Sequence, residues 1–207
     1  MFTSAFRDTV LGTIGGFLGL IKAITDFRAG TVTEAAYTGY GTRPAIAWGA
    51  PGATSPAGGR QVANSGVVTF PANTGANEDQ IAWGIYSAAT AGVLQMIGFL
   101  DTDPPILGVG NVDDTIDAYA HGLETDQRIL VLAAPGAVIP TGLAENTAYF
   151  VLASGLTADV FKLSTSSGGA AANITVGGAA FFMPYKAVTV AGGATPSVAI
   201  GAVVVQL

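Results

Sequence analysis

Beyond Gly30 the chain is cut into short apolar runs by Gly, Pro, Asn and Ser, and no helical period survives the cutting. "TVTEAAYTGY", "RPAIAW", "GRQVANSGVVTFPA", "DQIAWGIYSA" and "GVLQMIGFLD" each read as strand bounded by turn chemistry. Short strands with a turn signal roughly every ten residues argue for a sandwich, a jelly roll or a barrel. Val67 to Phe70, Ile81 to Tyr86 and Val93 to Leu100 are the strongest core candidates, and residues 87–94 read as a hairpin turning at Gly92.

Composition narrows the function classes. Charged residues are 11% of the chain and hydrophobic ones 50%, against roughly 25% charged in ordinary soluble domains. So few solvated side chains imply surface buried against other copies or another protein, while the hydrophobicity argues against disorder. A net charge of −6 with eight scattered Lys and Arg excludes nucleic acid as the expected partner. With Cys 0 there is no disulfide, thiolate zinc site or cysteine nucleophile. The apolar run at 9–21 is too short to span a bilayer and lacks the flanks of a signal peptide, so no membrane partner is expected.

Residues 3–27 are the one stretch with a helical pattern. Phe6, Val10, Ile14, Phe17, Leu18, Ile21 and Ile24 recur at threes and fours, with Thr3 or Ser4 as a cap. Gly12, Gly15, Gly16 and Gly19 form two interleaved small-xxx-small pairs. Each glycine costs about 1 kcal/mol in a helix interior, so the pattern suggests either an oligomer or partner interface where backbones meet closely or a loosened helix.

The remainder divides in two. "DTDPPILGVGN" at 101–111 reads as a crossing between modules, and the strands after it as a second β segment. The expected organisation is an N-terminal helix at 1–27, a main β domain from 28–109 plus 185–207, and an inserted small β module at 110–184.

The run "RQVANSGVVTFPANTGANEDQIAWGIYSAATAGVLQMIGFLD" resembles short virion proteins of tailed bacteriophages, labelled tail fibre or minor structural proteins. The matching positions are Val68, Phe70, Pro71, Ala72, Ile81, Trp83, Gly84, Ile85, Tyr86, Ala88, Gly92 and Leu94. The middle segment is similar to small β modules of phage tail and fibre proteins, which look like the barrel in the first catalytic cysteine half-domain of ubiquitin-activating enzymes. That likeness rests on His121, Gly122, Leu123, Gly142, Leu143, Tyr149, Val151, Phe161, Leu163 and Ser164. It implies a β-rich virion component and carries no catalytic role.

The chemical candidates are few. His121, the single histidine, sits in "HGLETD" beside Glu124 and Asp126, which suits a polar turn between strands better than a catalytic triad without a nucleophile motif. Asp101, Asp103, Asp113, Asp114 and Asp117 read as a solvated acidic crossing, with a calcium or magnesium site as the alternative. Trp48, Trp83, Tyr37, Tyr40 and Tyr86 would stack sugars from a surface, but on alternating strands they read as core.

The expectation is an all-β protein, with a jelly-roll-like or sandwich main domain, one N-terminal helix and an inserted barrel-like module. Its expected role is non-enzymatic and structural, on the exterior of a tailed-phage virion, without cofactor, metal or catalytic residues. A capsid decoration protein bound to the major capsid lattice leads. A tail-fibre or baseplate adhesin among tail proteins, binding host-surface glycan, is the alternative. Homotrimers are expected, since projecting virion parts use three-fold axes.

Overall fold

A computed structural model describes residues 4–26, 29–54 and 59–206. Thr3, read as a helix cap, lies outside them. One short helix, α1 (Ser4–Gly12), precedes β1 (Phe17–Asp26), β2 (Thr31–Glu34), β3 (Gly52–Ala53), β4 (Arg60–Ala63) and β5 (Val68–Thr69). Then come β6 (Glu78–Gln80), β7 (Ala82–Tyr86), β8 (Leu94–Phe99), β9 (Ile106–Gly110), β10 (Ile116–Asp117) and β11 (Arg128–Ala133). The series closes with β12 (Ala148–Val151), β13 (Val160–Phe161), β14 (Leu163–Ser164), β15 (Gly178–Tyr185), β16 (Val188–Val190), β17 (Ser197–Val198) and β18 (Val204–Gln206). The protein is all-β. It divides into two compact units: residues 1–22, 34–98 and 189–207 form the first, and residues 23–33 and 99–188 the second.

The expected helix over 3–27 stops at Gly12, and residues 17–26 form β1 instead. Leu18, Leu20 and Ile21 are all buried, so this run is covered on both faces, and a fully apolar run has no period that separates helix from strand. The glycines explain the choice. In the first unit β1 pairs antiparallel with β7, and Gly19 lies opposite Gly84. A Cβ at Gly19 would fall 2.6 Å from Cε2 of Tyr86, and one at Gly84 2.9 Å from the same atom. The paired glycines open a slot for the Tyr86 ring, while costing a helix about 1 kcal/mol each.

The C-terminal segment completes the first unit through a repeated device. Asn64 and Asn73 stand nine positions apart in Ala-Asn-Ser-Gly and Ala-Asn-Thr-Gly, and both are buried. Asn64 Nδ2 donates to the carbonyls of Gly66 and Ala199, each at 2.8 Å, while its Oδ1 accepts from Val203 N–H at 2.9 Å. Asn73 Nδ2 donates to Ala76 (2.8 Å) and Val190 (3.0 Å), and its Oδ1 accepts from Gly75 N–H. Around these clamps β18 pairs with β4, and β17 with β5. Leu11, Leu18, Phe70, Ile85, Val203 and Val205 are among the core residues they enclose.

The second unit is built on a seven-stranded sheet, in the order β13-β10-β9-β15-β11-β12-β14. Its two edge strands are separated in the chain by Lys162 alone, so the sheet comes round almost to a closed barrel. The interior is filled by Ile116, Ile129, Val131, Tyr149, Phe161, Leu163 and Phe182. The stretch read as a crossing supplies β9, an interior strand of this sheet, so the unit begins earlier than residue 110. The two glycines of β9 make room for larger neighbours: a Cβ at Gly108 would lie 2.8 Å from Ile116 Cγ2, and one at Gly110 2.5 Å from Pro140 Cγ.

Candidate functional site

Ile116 and Phe161 pair across β10 and β13, with one loop following β10 and another preceding β13. The loop after β10 is pinned to the one before β13 by three bonds. Ala118 N–H donates to Asp159 O, Ala120 N–H to the Asp159 carboxylate and His121 N–H to Ala158 O, at 2.8, 2.7 and 3.2 Å. Ala120 adopts a φ of 48° there, a conformation unusual for a residue with a side chain. The backbone on either side of Tyr119 is thus fixed, while its ring is 90% exposed.

Tyr119 stands on an open basin of about 490 Å³ that is also lined by Asp103, Pro104, Pro105, His121, Gln127 and Lys186. Asp103 Oδ2 accepts from Gln127 Nε2 at 3.3 Å. Both partners are fixed at the backbone, since Asp103 N–H donates to Pro184 O and Gln127 N–H to Glu124 O. Gln127 Oε1 accepts from Glu124 N–H at 3.0 Å, which orients the amide. A neighbouring hollow of about 320 Å³ shares Gln127 and Lys186 and adds Glu124, Asp126, Arg128 and Tyr185.

His121 is the turn residue of this loop. Its Nδ1 accepts from Leu123 N–H at 2.9 Å, Gly122 takes a φ of 66°, and the ring stands edge-on to Phe161 at 5.1 Å between centroids. With Nδ1 accepting, the neutral ring carries its proton on Nε2. That nitrogen is buried without a partner. Neither nitrogen is presented to a substrate, so the side chain has no geometry for a general base.

The acids of the supposed crossing separate. Asp113 accepts from Thr115 Oγ1 at 2.6 Å, a bond that holds its carboxyl below the usual range. Asp114 accepts from Ile174 N–H at 2.7 Å, and Asp103 lies in the basin. Among the described residues no three His, Cys, Asp or Glu side chains gather as metal ligands would.

The glycine pattern also resolves residue by residue. Gly15 donates its N–H to Gln95 Oε1, accepts Trp48 Nε1 at its carbonyl, and has no room for a Cβ beside Tyr86. Gly19 faces the Tyr86 ring, whereas Gly12 and Gly16 border open space. None of Gly15, Gly16 and Gly19 lies on a helix, so the helical small-xxx-small premise falls.

Tyr37 and Tyr86 are buried, and Tyr40, Trp48 and Trp83 pack against the core of the first unit. Glu34 there accepts from Arg43 at 2.7 Å through both oxygens and from Tyr40 Oη at 2.6 Å. The Arg43 guanidinium lies 3.7 Å from the Tyr86 ring centroid. Burial, helped by Glu34 and opposed by Arg43, pushes the Tyr86 hydroxyl up to about 12. Glu34, Tyr40 and Arg43 bind one another beside a small hollow of about 190 Å³. Tyr119 was not among the aromatic residues singled out from the sequence. The signal available was its place in the polar run "DTIDAYAHGLETD", where a core aromatic is out of keeping.

Comparison with known families places a match over residues 14–121, to the family described as Podophage GP4 fiber I protein gp80. No curated protein matches the chain, and no solved structure does.

Proposed function

The chain belongs to the podophage GP4 fiber I protein (gp80) family, and from that premise we propose that it is a fibre component on the outside of a podophage virion. The family description names a fibre, which supports this reading. Within this reading the first unit attaches to the virion and the second is displayed. The family match takes in residues 14–22 and 34–98 of the first unit, while β11 to β15 of the second lie beyond its end.

The role is non-enzymatic in this reading, supported by the sealed geometry of His121. Copies of the chain assemble with one another, as a trimer. The second unit leaves Leu107, Val109, Val112, Val138 and Val176 exposed, and apolar area of that kind is worth about 25 cal/mol per Å² when a partner covers it. Decoration of the head remains the second reading, because the described residues form compact units and contain no shaft repeat.

Gold-labelled antibody on intact virions tests the placement by electron microscopy. Label gathered at the tail supports the fibre reading. An even coat over the head would replace it with decoration, and virions without label would overturn both.

A further inference from the structure

The basin around Tyr119 has the features of a binding site, and its chemistry restricts what could occupy it. We propose that it binds a saccharide, with one pyranose ring stacked on Tyr119 and its hydroxyls hydrogen-bonded by Asp103, Gln127 and Lys186. The proposal deepens the reading of the second unit as the displayed part of a fibre.

Four observations carry it. The first is the 90% exposure of the Tyr119 ring on a backbone pinned on both sides, which presents a flat aromatic face from a fixed point of the loop. The second is the coupled pair that lines the same basin. Gln127 Nε2 gives one hydrogen to Asp103 and keeps a second, and the Asp103 carboxylate accepts that bond through Oδ2. A carboxylate and an amide side by side accept from and donate to adjacent hydroxyls, the arrangement that vicinal diols require. The third is rigidity, since Pro104 and Pro105 have fixed φ and Gln127 is held at both backbone and side chain. The fourth is size, for about 490 Å³ falls within the range of roughly 300–1,000 Å³ usual for small-ligand sites.

Other ligand classes fit less well. A polyanion meets Asp103 beside Lys186 in the basin, and in the adjoining hollow Glu124 and Asp126 beside Arg128, so the lining is not the surplus of positive charge that it needs. A lipid chain needs an enclosed apolar tunnel, and this basin is open and lined by charged and amide groups. A divalent cation needs several carboxylates together, and Asp103 is the one carboxylate among the residues that line the basin. A saccharide uses both halves of the site, C–H faces on the ring and hydroxyls on the polar groups.

The full chain should be applied to a printed array of bacterial surface oligosaccharides, and the strongest binder then titrated in solution. Tyr119→Ala should weaken that binder about tenfold, the value of one aromatic contact near 1.4 kcal/mol. Tyr119→Phe should stay within about threefold, because stacking survives loss of the hydroxyl. Gln127→Ala should weaken binding as well, and unchanged melting curves for all three variants show that the fold is intact. The proposal is overturned if the wild-type chain binds no spot on the array, or if binding persists undiminished in Tyr119→Ala. It is also overturned if Tyr119→Ala stops virions adsorbing to cells while the array stays blank, which would indicate a protein receptor. None of these results depends on where gold label falls on the virion, so the site and the fibre placement fail separately.

Discussion

In the first unit the groups that decide which segment lies beside which are polar. Asn64 and Asn73 clamp the C-terminal segment, Asp8 pairs with Arg60, Lys22 with Glu78, and Glu34 with Arg43. In the second unit the interior is aromatic and aliphatic, with Phe182 edge-on to Phe161 at 5.3 Å and Tyr149, Ile116 and Val131 around them. The difference follows from strand length and connectivity. The small ladders of the first unit, some with two residues per strand, offer few backbone bonds to set a register, so side-chain hydrogen bonds set it. The second unit has a six-residue ladder between β11 and β15, whose backbone bonds and the alternating burial along β15 set the register.

The comparison can be broken hardest in the second unit. Phe182→Ala removes a fully buried ring and should cost about 3–5 kcal/mol. Urea unfolding should show it, with amide exchange accelerating in β9, β11 and β15. Stability within 1 kcal/mol of wild type would mean that the aromatic interior is not what holds this unit together.

A smaller loss is expected from the clamps. Asn73→Ala strips partners from two carbonyls and one N–H, and each Asn→Ala change should cost about 1–3 kcal/mol. Both Trp48 and Trp83 lie in the first unit, so tryptophan fluorescence follows the loss there. The double variant Asn64→Ala, Asn73→Ala should lose less than the sum, since both side chains fasten one segment. Strict additivity would show two independent anchors.

The smallest effect concerns acid. Burial works against the Glu78 carboxylate, but bonds from Ala36 N–H, Lys22 and Gln80 outweigh it and hold its pKa below the usual value. A carboxylate depressed in the folded state adds stability above its unfolded pKa of about 4.3, and that stability fades as pH falls through the lower folded value. Wild type should therefore lose stability below about pH 4.3 more steeply than Glu78→Gln. Parallel stability curves for the two would remove Glu78 from the set of polar keys.

Much of the architecture was legible in residue order. The turn chemistry after Gly30 marks a chain of short strands, the run Ile81 to Tyr86 reads as strand, and "HGLETD" reads as a turn, each from local conformational preference. The failures share one physical cause. Residues 17–21 look helical because apolar spacing in a run buried on both faces carries no information about period. "LGVG" looks like a crossing because glycine usually marks a turn, although here it makes room for Ile116 and Phe182. The twin Ala-Asn-Ser/Thr-Gly tetrapeptides are visible in the sequence, but their partners lie more than a hundred residues away at Val190 and Ala199.

Residue order by itself determined the class of fold, the absence of cysteine chemistry, the scarcity of charge and the turn at His121, because these depend on composition and on neighbours a few positions apart. Tertiary structure alone decided that residues 17–26 are a strand, that Gly19 and Gly84 make a slot for Tyr86, that two asparagines fasten the C-terminal segment, and that Tyr119 stands exposed over a polar basin. Each of those depends on which distant segment fills the adjoining space, and packing between segments far apart in the chain leaves no local mark.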